Sequence, residues 1–383
     1  AALELEYAHK VLVLYPSIRE IVNLTARYMP SLPFPKKALD ILDEVVVYVQ
    51  TKKEKIVLPH HVSEIIANKT QIPVGKMDVK EKETLLNLET LIHQRIVNQE
   101  EAVNEISIAM RRSRSGISSK KRPMGSFLFL GPTGTGKTET SKALAQIYFG
   151  SEDKMIRLDM SEFQSISDIP RLLGAVSPVE MQGILTTPVR EAPFSLVLLD
   201  EIEKSHPNIL NLFLQVFDEG HITDGQGRKV VFTNTIIICT SNAGADMIFK
   251  EIGSGNPIEK QKLVGSLIEK GIFKPELINR FDATVIFHPL TKDNLLQIAQ
   301  LLLQGLQKNL KEKEIDFNIT ESLKEKIVEL SYKPEFGARE MRRVIQDRVE
   351  NVVAGALLSD KIKKGDMIEL NAENFEIMIN PVK

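Results

Sequence analysis

The chain has 383 residues, 26% of them charged, and a formal net charge of −2. That length is enough for two or three domains, and the balanced charge argues against a protein dedicated to nucleic acid. No apolar run is long enough to span a bilayer, and a signal-peptide layout is missing. The single cysteine, Cys239, fits a reducing compartment. We therefore expect a soluble cytoplasmic protein without nucleic-acid or membrane partners.

The N-terminal stretch predicts a helical subdomain over residues 1–75. Apolar residues recur at helical spacing from Ala38 to Val46, after a cluster of prolines at positions 30, 33 and 35 that interrupts the chain. The polar stretch Gly75–Glu83 that follows has the composition of a linker. Two helices, Thr84–His93 and Gln99–Arg112, are predicted next.

Strands and helices alternate from Phe127 to Phe287, which predicts an α/β fold with a parallel sheet flanked by helices. The predicted strands are Phe127–Leu130, Met155–Asp159, Leu196–Asp200, Thr235–Thr240 and Ala283–Phe287. With the linker helices that precede it, this large subdomain covers residues 76–289. Residues 290–383 predict a mainly helical small subdomain that carries a short strand pair, Met367–Leu370 and Phe375–Ile379.

A glycine-rich turn lies between the first of these strands and a helix-forming stretch. It consists of Gly131, Pro132, Thr133, Gly134, Thr135, Gly136, Lys137 and Thr138. This is the pattern of a phosphate-binding P-loop in its confirming context of strand, turn and helix. Glycines let backbone N–H groups converge on a polyphosphate, and the helix N-terminus adds partial positive charge. We expect Lys137 to reach the β- and γ-phosphates of ATP and Thr138 to ligate Mg²⁺.

Two carboxylates follow the apolar strand Leu196–Leu199. Asp200 and Glu201 stand at the strand's C-terminal end, which in a parallel sheet faces the ligand crevice. Asp200 is suited to hold Mg²⁺ through water, and Glu201 to orient and deprotonate an attacking water. In isolation such a pair is more often a solvated acidic strand end. Asn242, after the next strand, could hold the water and a γ-phosphate oxygen, or could close an Asx turn.

Several segments resemble the Clp unfoldases, a branch of the AAA+ proteins. The second ATPase ring of that family is similar to LVLLDEIEKSHPNILNLFLQVFDEGHITDGQGRKVVFTNTIIICTSNAG, FKPELINRFDATVIFHPL and FGAREMRRVIQDRVEN. The segment that packs on adenine in the family resembles RIVNQEEAVNEISIAMRRSRSG, and the small subdomain that closes its first ring resembles ARYMPSLPFPKKALDILDE. The P-loop subdomain of the first ring has no counterpart here, so we expect a fragment or a truncated relative.

The resemblance implies roles for further residues. It assigns an arginine finger, which projects into a neighbouring subunit's nucleotide, to Arg280, and a sensor arginine of the small subdomain to Arg339. It places Val97 against adenine. The family has glycine where this chain has Asn98, a residue that tolerates left-handed backbone better than most.

The chain departs from the family in a substrate-gripping loop between Gly174 and Thr187. Clp second rings carry an aromatic there within Gly-Tyr-Val-Gly, whereas this loop is shorter and has no aromatic. Val179 or Met181 could give a softer apolar grip, or the loop no longer threads a polypeptide.

A second departure concerns Ile252-Gly253-Ser254. ClpA- and ClpC-type members dock Ile-Gly-Phe or Ile-Gly-Leu into the peptidase ClpP, and Ser254 lacks the apolar side chain that fills the docking pocket. An ordinary loop is the favoured interpretation.

The resemblance predicts an ATPase that assembles as a homo-oligomeric ring, the hexamer of the family, and unfolds or remodels polypeptide substrates. A ClpP-type peptidase is a candidate further partner. The main alternative is an ATP-gated scaffold or regulator that no longer threads polypeptide, which the missing aromatic supports. A motor acting on nucleic acid is a weaker alternative.

Overall fold

The computed structural model describes residues 1–29, 32–70, 79–115, 121–176, 181–332 and 337–381. Within these ranges, no helix combines the length and the apolarity that a bilayer crossing requires.

The N-terminal part is helical, with one small parallel strand pair. Its elements are α1 (Ala2–His9), β1 (Leu12–Val13), α2 (Tyr15–Tyr28), α3 (Lys36–Thr51), β2 (Ile56–Val57) and α4 (Pro59–Thr70). Helix α3 follows the predicted apolar spacing, and Ile41, Val45 and Val46 on it are fully buried. They belong to a hydrophobic cluster that continues through the next helices to one face of the central sheet.

Three helices join this part to the sheet: α5 (Val79–Leu86), α6 (Leu88–His93) and α7 (Glu100–Arg114). Residues 75–78 of the predicted linker lie outside the described residues. From Val79 to Glu83 the stretch predicted as a linker is helical. It belongs to α5, which is held by an ion pair of the buried carboxylate of Glu81. Glu81, 7% exposed, accepts from Arg114 at 2.6 Å and from the Tyr148 hydroxyl at 2.8 Å. Burial raises the pKa of Tyr148, which keeps this hydroxyl protonated as a donor.

The large subdomain is built on a five-stranded parallel sheet with strand order β4-β5-β8-β3-β9. Its strands are β3 (Gly125–Leu130), β4 (Met155–Asp159), β5 (Leu196–Asp200), β8 (Ile236–Ser241) and β9 (Ala283–Ile286), and a hairpin is formed by β6 (His221–Thr223) and β7 (Lys229–Val231). Its helices are α8 (Lys137–Phe149), α9 (Ile169–Leu173), α10 (Thr186–Glu191), α11 (Pro207–Glu219), α12 (Ala245–Gly253), α13 (Lys260–Glu269) and α14 (Pro275–Ile278). The five predicted sheet strands are confirmed to within a residue or two at each end.

The middle of the sheet is apolar on both faces. All residues of β3 and β8 are buried, as are four of the five residues of β5. Alternate side chains of these strands enter two hydrophobic clusters, one on each side of the sheet. Because the strands are parallel and in register, their carboxyl ends meet at one edge.

The C-terminal subdomain has its own hydrophobic core. Its elements are α15 (Lys292–Lys311), β10 (Asp316–Asn318), α16 (Glu321–Ser331), α17 (Arg339–Ile345), α18 (Asn351–Leu358), β11 (Asp366–Leu370) and β12 (Ile377–Pro381), with a π-helical turn between α17 and α18. The predicted pair β11–β12 is antiparallel, and β10 adds a third strand parallel to β11. This third strand was not predicted, since three residues are too few to show alternation.

Removal of Glu81 should destabilise the protein by about 2 kcal/mol, because the partly buried Arg114 would lose its carboxylate. The measurement is the urea midpoint of Glu81→Ala. Glu83→Ala, an exposed position on the same helix, is the matched control and should change stability by less than about 0.5 kcal/mol. Equal midpoints for the two variants would contradict a role of the ion pair in anchoring α5.

Candidate active site

The glycine-rich turn leaves β3 at the carboxyl edge of the sheet and enters α8. Gly136, the residue before α8, has φ 105°, which is a conformation that side-chain-bearing residues rarely adopt. The Gly131 N–H donates to the carbonyl of Ser241 at 3.2 Å, which fixes the start of the turn against β8. Thr138 lies half-buried in the first turn of α8.

Lys137 lies folded under this turn and is only 7% exposed. Its ammonium donates to the carbonyls of Gly131 at 2.5 Å and Pro132 at 2.8 Å, and to Asn242 Oδ1 at 2.9 Å. Burial lowers the pKa of Lys137 to about 8, although three nearby carboxylates act in the opposite direction. The lysine is therefore a partly desolvated cation whose charged form an incoming polyanion would stabilise.

Asp200 stands at the end of β5 with both carboxylate oxygens engaged. Oδ1 accepts from the Thr240 hydroxyl. Oδ2 pairs with the exposed guanidinium of Arg157 at 2.7 Å. Such a carboxylate has the oxygen chemistry that Mg²⁺ prefers, and its arginine partner is free to move into solvent.

Glu201 has a left-handed backbone with φ 55° and ψ 48°. For a residue with a Cβ this conformation is uncommon and costs about 1–3 kcal/mol. The Thr240 hydroxyl accepts from the Glu201 N–H at 3.2 Å while it donates to Asp200. One hydroxyl thus holds the carboxylate of Asp200 and the main chain of Glu201.

Asn242 links the lysine to the second carboxylate. Its Oδ1 accepts from Lys137, and its Nδ2 donates to Glu201 Oε1 at 3.4 Å. Its backbone N–H donates to Glu203 Oε1 at 3.0 Å. The side chain therefore faces the site and does not close the Asx turn that was the alternative.

The segment expected to contact adenine lies beside the P-loop. Asn98 has φ 61°, so it adopts the left-handed backbone expected where the family has glycine. Val97 is half-buried, and the next residue, Gln99, is buried and hydrogen-bonded to the P-loop carbonyl of Thr135 at 3.1 Å.

The small subdomain meets the P-loop through main chain. The Ala338 N–H donates to the carbonyl of Gly134 at 3.1 Å. Gly337 has φ 53°, and a Cβ there would lie 2.5 Å from the same carbonyl oxygen. Arg339, the first residue of α17, is exposed directly after this contact.

Arg280 lies far from these residues. Its backbone carbonyl accepts from the Ser126 hydroxyl at 3.3 Å, near the amino end of β3. Five residue steps along the extended strand separate Ser126 from Gly131, or roughly 16 Å. The guanidinium is 44% exposed and pairs with Asp218 at 3.0 Å. Arg280 is therefore not brought together with the site of its own chain.

The described ends of the expected substrate-gripping loop are joined by an antiparallel bridge, which is called the base of the gripping hairpin below. Ala175 and Met181 form an antiparallel bridge, and Val176 and Met181 are 59% and 38% exposed. Val179 lies outside the described residues. The Gly225 N–H donates to the carbonyl of Leu173 at 3.1 Å, so the β6–β7 turn packs against the base of this hairpin.

The tripeptide Ile252–Ser254, at the position where some Clp members carry their peptidase-docking residues, belongs to a folded connection. Ile252 and Gly253 form the last turn of α12, and the Ser254 N–H donates to the carbonyl of Lys250 at 3.0 Å. Helix α13 begins six residues later, at Lys260.

Four residues near the site were missed at the sequence level: Thr240, Glu203, Arg157 and Gln99. Thr240 ends the predicted strand before Asn242, and Glu203 follows the carboxylate pair. A polar side chain next to a buried strand could have identified both as site residues. Arg157 and Gln99 act through contacts with residues at least 36 positions away, which no local pattern encodes.

Three family models match the chain. An "AAA domain (Cdc48 subfamily)" covers residues 122–284, the "C-terminal, D2-small domain, of ClpB protein" covers residues 290–370, and an "AAA lid domain" covers residues 2–95. With the P-loop and the parallel sheet, they define an ATPase of the AAA+ class.

Curated relatives and solved structures show which family within this class the chain resembles. The ATP-dependent Clp protease ATP-binding subunit ClpE of Bacillus subtilis is 39% identical over 93% of this chain and 59% of its own length. The chaperone protein ClpB of Rhodopirellula baltica is 43% identical over 85% of this chain and 37% of its own. The Hsp104:casein complex of S. cerevisiae in its extended conformation has a TM-score of 0.83 at 32% identity, over 99% of this chain and 67% of that one.

The chain belongs to the Clp family of AAA+ ATPases, as the sequence resemblance predicted. It spans less than two thirds of the length of the curated relatives described above.

Thr240→Val should lower kcat by ~10- to 100-fold, because the Asp200 carboxylate and the Glu201 main chain lose the hydroxyl that holds them in place. ATP affinity should change little, since Thr240 does not touch the P-loop turn. Steady-state ATPase assays and equilibrium nucleotide binding test this expectation.

Thr235→Val is the matched control at the other end of the same strand, where the hydroxyl donates only to the carbonyl of Phe232 at 2.9 Å. It should leave kcat unchanged. An unchanged kcat in Thr240→Val would show that Asp200 and Glu201 keep their geometry without this hydroxyl.

Proposed function

We propose that this chain hydrolyses ATP at the carboxyl edge of its sheet and uses the energy to unfold or remodel proteins. The observation that carries the proposal is the hydrogen-bonded chain from Lys137 through Asn242 to Glu201 beside the P-loop. A water between Glu201 and a γ-phosphate would lose its proton to that carboxylate as it attacks the γ-phosphorus. The bond from this phosphorus to the β,γ-bridging oxygen would break, with ADP as the leaving group. Asn242 would orient this water and the phosphate oxygen.

The donor set also fits Mg²⁺, with the Thr138 hydroxyl and Asp200 through water as the residues that would hold it. When bound, the ion neutralises charge on the phosphates. The exposed Arg157 would leave Asp200 for solvent, which costs little because a surface ion pair contributes only about 0–1 kcal/mol.

We propose further that the active unit is a homo-oligomeric ring, with six subunits as the family suggests. Arg280 supports this because it lies at the opposite edge of the sheet from its own P-loop, out of reach of a nucleotide bound there and exposed to a neighbouring subunit. A heterologous contact that repeats around an axis closes into a ring. Arg339, exposed next to the P-loop contact of Ala338, would act within its own subunit as the sensor arginine.

The substrate is proposed to be polypeptide. The Hsp104 structures similar to this chain are complexes with casein. Val176 and Met181 expose apolar surface at the base of the gripping hairpin, which is a smaller contact than an aromatic would give. We therefore expect loosely folded chains to be moved more readily than stable domains.

We favour remodelling without a docked peptidase. In the described structure the tripeptide Ile252–Ser254 is the end of a helix and its cap, and it leaves only a short connection to α13. A ClpP-type partner bound at another surface would be detected by ATP-dependent degradation of a substrate in a mixture of the two proteins.

Mixing two inactive variants tests whether Arg280 acts between subunits. Arg280→Ala and Glu201→Gln should each bind ATP and hydrolyse it poorly. In mixed rings, Arg280 of a Glu201→Gln subunit can meet an intact Glu201 on its neighbour. With random mixing, about one quarter of the interfaces combine an intact Arg280 with an intact Glu201. The rate of phosphate release should therefore recover to about one quarter of the wild-type rate.

The control replaces Glu201→Gln by a subunit that carries both substitutions. Those mixed rings hold no intact finger and should stay inactive. Hydrolysis by Arg280→Ala at the wild-type rate would contradict the proposed role, provided that rings still form.

Unfolding assays separate the motor from the scaffold. Replacement of Ser177–Gln182 by Gly-Tyr-Val-Gly should raise unfolding of a stable tagged reporter with little change in ATPase activity. The matched control inserts Gly-Ala-Val-Gly and should not. If neither the native nor the grafted ring moves even an unfolded chain while both hydrolyse ATP, the scaffold interpretation replaces threading.

A further inference from the structure

The carboxamide of Gln99 is buried between the P-loop and the start of the small subdomain. Gln99 is 1% exposed and has φ 69°. Its Nε2 donates to the carbonyl of Thr135 at 3.1 Å and to the carbonyl of His288 at 2.8 Å. Its Oε1 accepts from the His288 N–H at 2.9 Å.

This set of bonds requires a glutamine amide in one orientation. Both N–H groups of Nε2 are used on carbonyls, and the oxygen faces an N–H donor, so an exchange of oxygen and nitrogen would oppose like groups. All three partners belong to the main chain. They are therefore present whatever side chains stand at those positions.

The bond to Thr135 orients the phosphate-binding turn. A trans peptide is planar, so its C=O and the following N–H point in opposite directions. The bond from Gln99 holds the carbonyl of Thr135 on the side of the turn that faces Gln99. The Gly136 N–H therefore points to the opposite side, where a phosphate would bind. The Ala338 N–H does the same one peptide earlier, because it holds the carbonyl of Gly134.

The bonds to His288 act on the connection to the small subdomain. His288 follows β9 and stands just before Thr291, the residue that caps α15. The Gln99 amide bonds both the N–H and the C=O of His288, as the main chain of a neighbouring strand would. Residues 288–291, which lead from β9 into the small subdomain, are called the hinge below. The P-loop turn, or phosphate cradle, and this hinge thus share one buried side chain.

We propose that Gln99 is a positioning residue that couples the P-loop to the hinge of the small subdomain, so that N–H groups of the cradle are correctly directed only while the hinge is held. The inference rests on the proposed nucleotide site. It adds a residue that would affect nucleotide binding only through main-chain groups of the P-loop and of the hinge.

The test compares Gln99→Glu and Gln99→Met by ADP binding calorimetry between pH 6 and pH 8. Glutamate keeps the acceptor for His288 but, when ionised, sets negative charge against two carbonyls. Its ADP affinity should fall by about tenfold or more at pH 8. At pH 6 a larger fraction of the buried carboxyl is protonated and donates one bond, so its affinity relative to wild type should recover.

Methionine has a similar volume and no hydrogen-bonding amide, so its loss of affinity should not vary with pH. Hydrogen exchange at the His288 amide should accelerate in both variants. Gln146→Glu is the matched control, because Gln146 is an exposed residue of α8 that donates only to the carbonyl of Gly150. It should match wild type at every pH.

Two results would overturn the inference. ADP affinity within twofold of wild type in both Gln99 variants, with intact folding, would reduce Gln99 to a packing residue. If the glutamate variant does not fold, the methionine variant alone decides by the same criterion. Absence of ADP binding by the wild-type protein and by Gln146→Glu would instead overturn the nucleotide site, which distinguishes the two failures.

Discussion

The parallel pairing of β3, β5 and β8 is the constraint on which the site depends. It brings the carboxyl ends of three strands to one edge, where the P-loop, the carboxylate pair and Asn242 meet. Fully buried strands of this kind slip in register only at the cost of exposing an apolar face. The positions of Lys137, Glu201 and Asn242 relative to one another are thus fixed by the core beneath them rather than by the loops that carry them.

The same pairing explains why the two edges of the sheet carry different functional residues. The carboxyl edge holds the residues that would touch nucleotide, whereas Arg280 and its partner Asp218 lie toward the amino edge. In the proposed ring an intact site would need two copies of the chain. Arg280 is half-exposed and already paired with Asp218, so it would exchange partners on assembly, and ring formation should then be sensitive to ionic strength.

The sequence predicted the sheet and the main site residues because those signals are local. A glycine-rich turn between a strand and a helix, or carboxylates after an apolar run, fits within ten residues. The strands β1, β6, β7 and β10 have two or three residues each and show no period. The left-handed backbone of Glu201 was not predicted either, since it depends on the Thr240 hydroxyl 39 positions away. Gln99 was quoted within a familiar segment, yet its partner His288 lies 189 positions along the chain.

The contact between Gly337 and the carbonyl of Gly134 limits how the small subdomain approaches the P-loop. It joins backbone to backbone, so its closest distance is set by the absence of a side chain at one position. A side chain at position 337 would act as a spacer that holds the small subdomain away from the P-loop, however well the rest of the boundary fits.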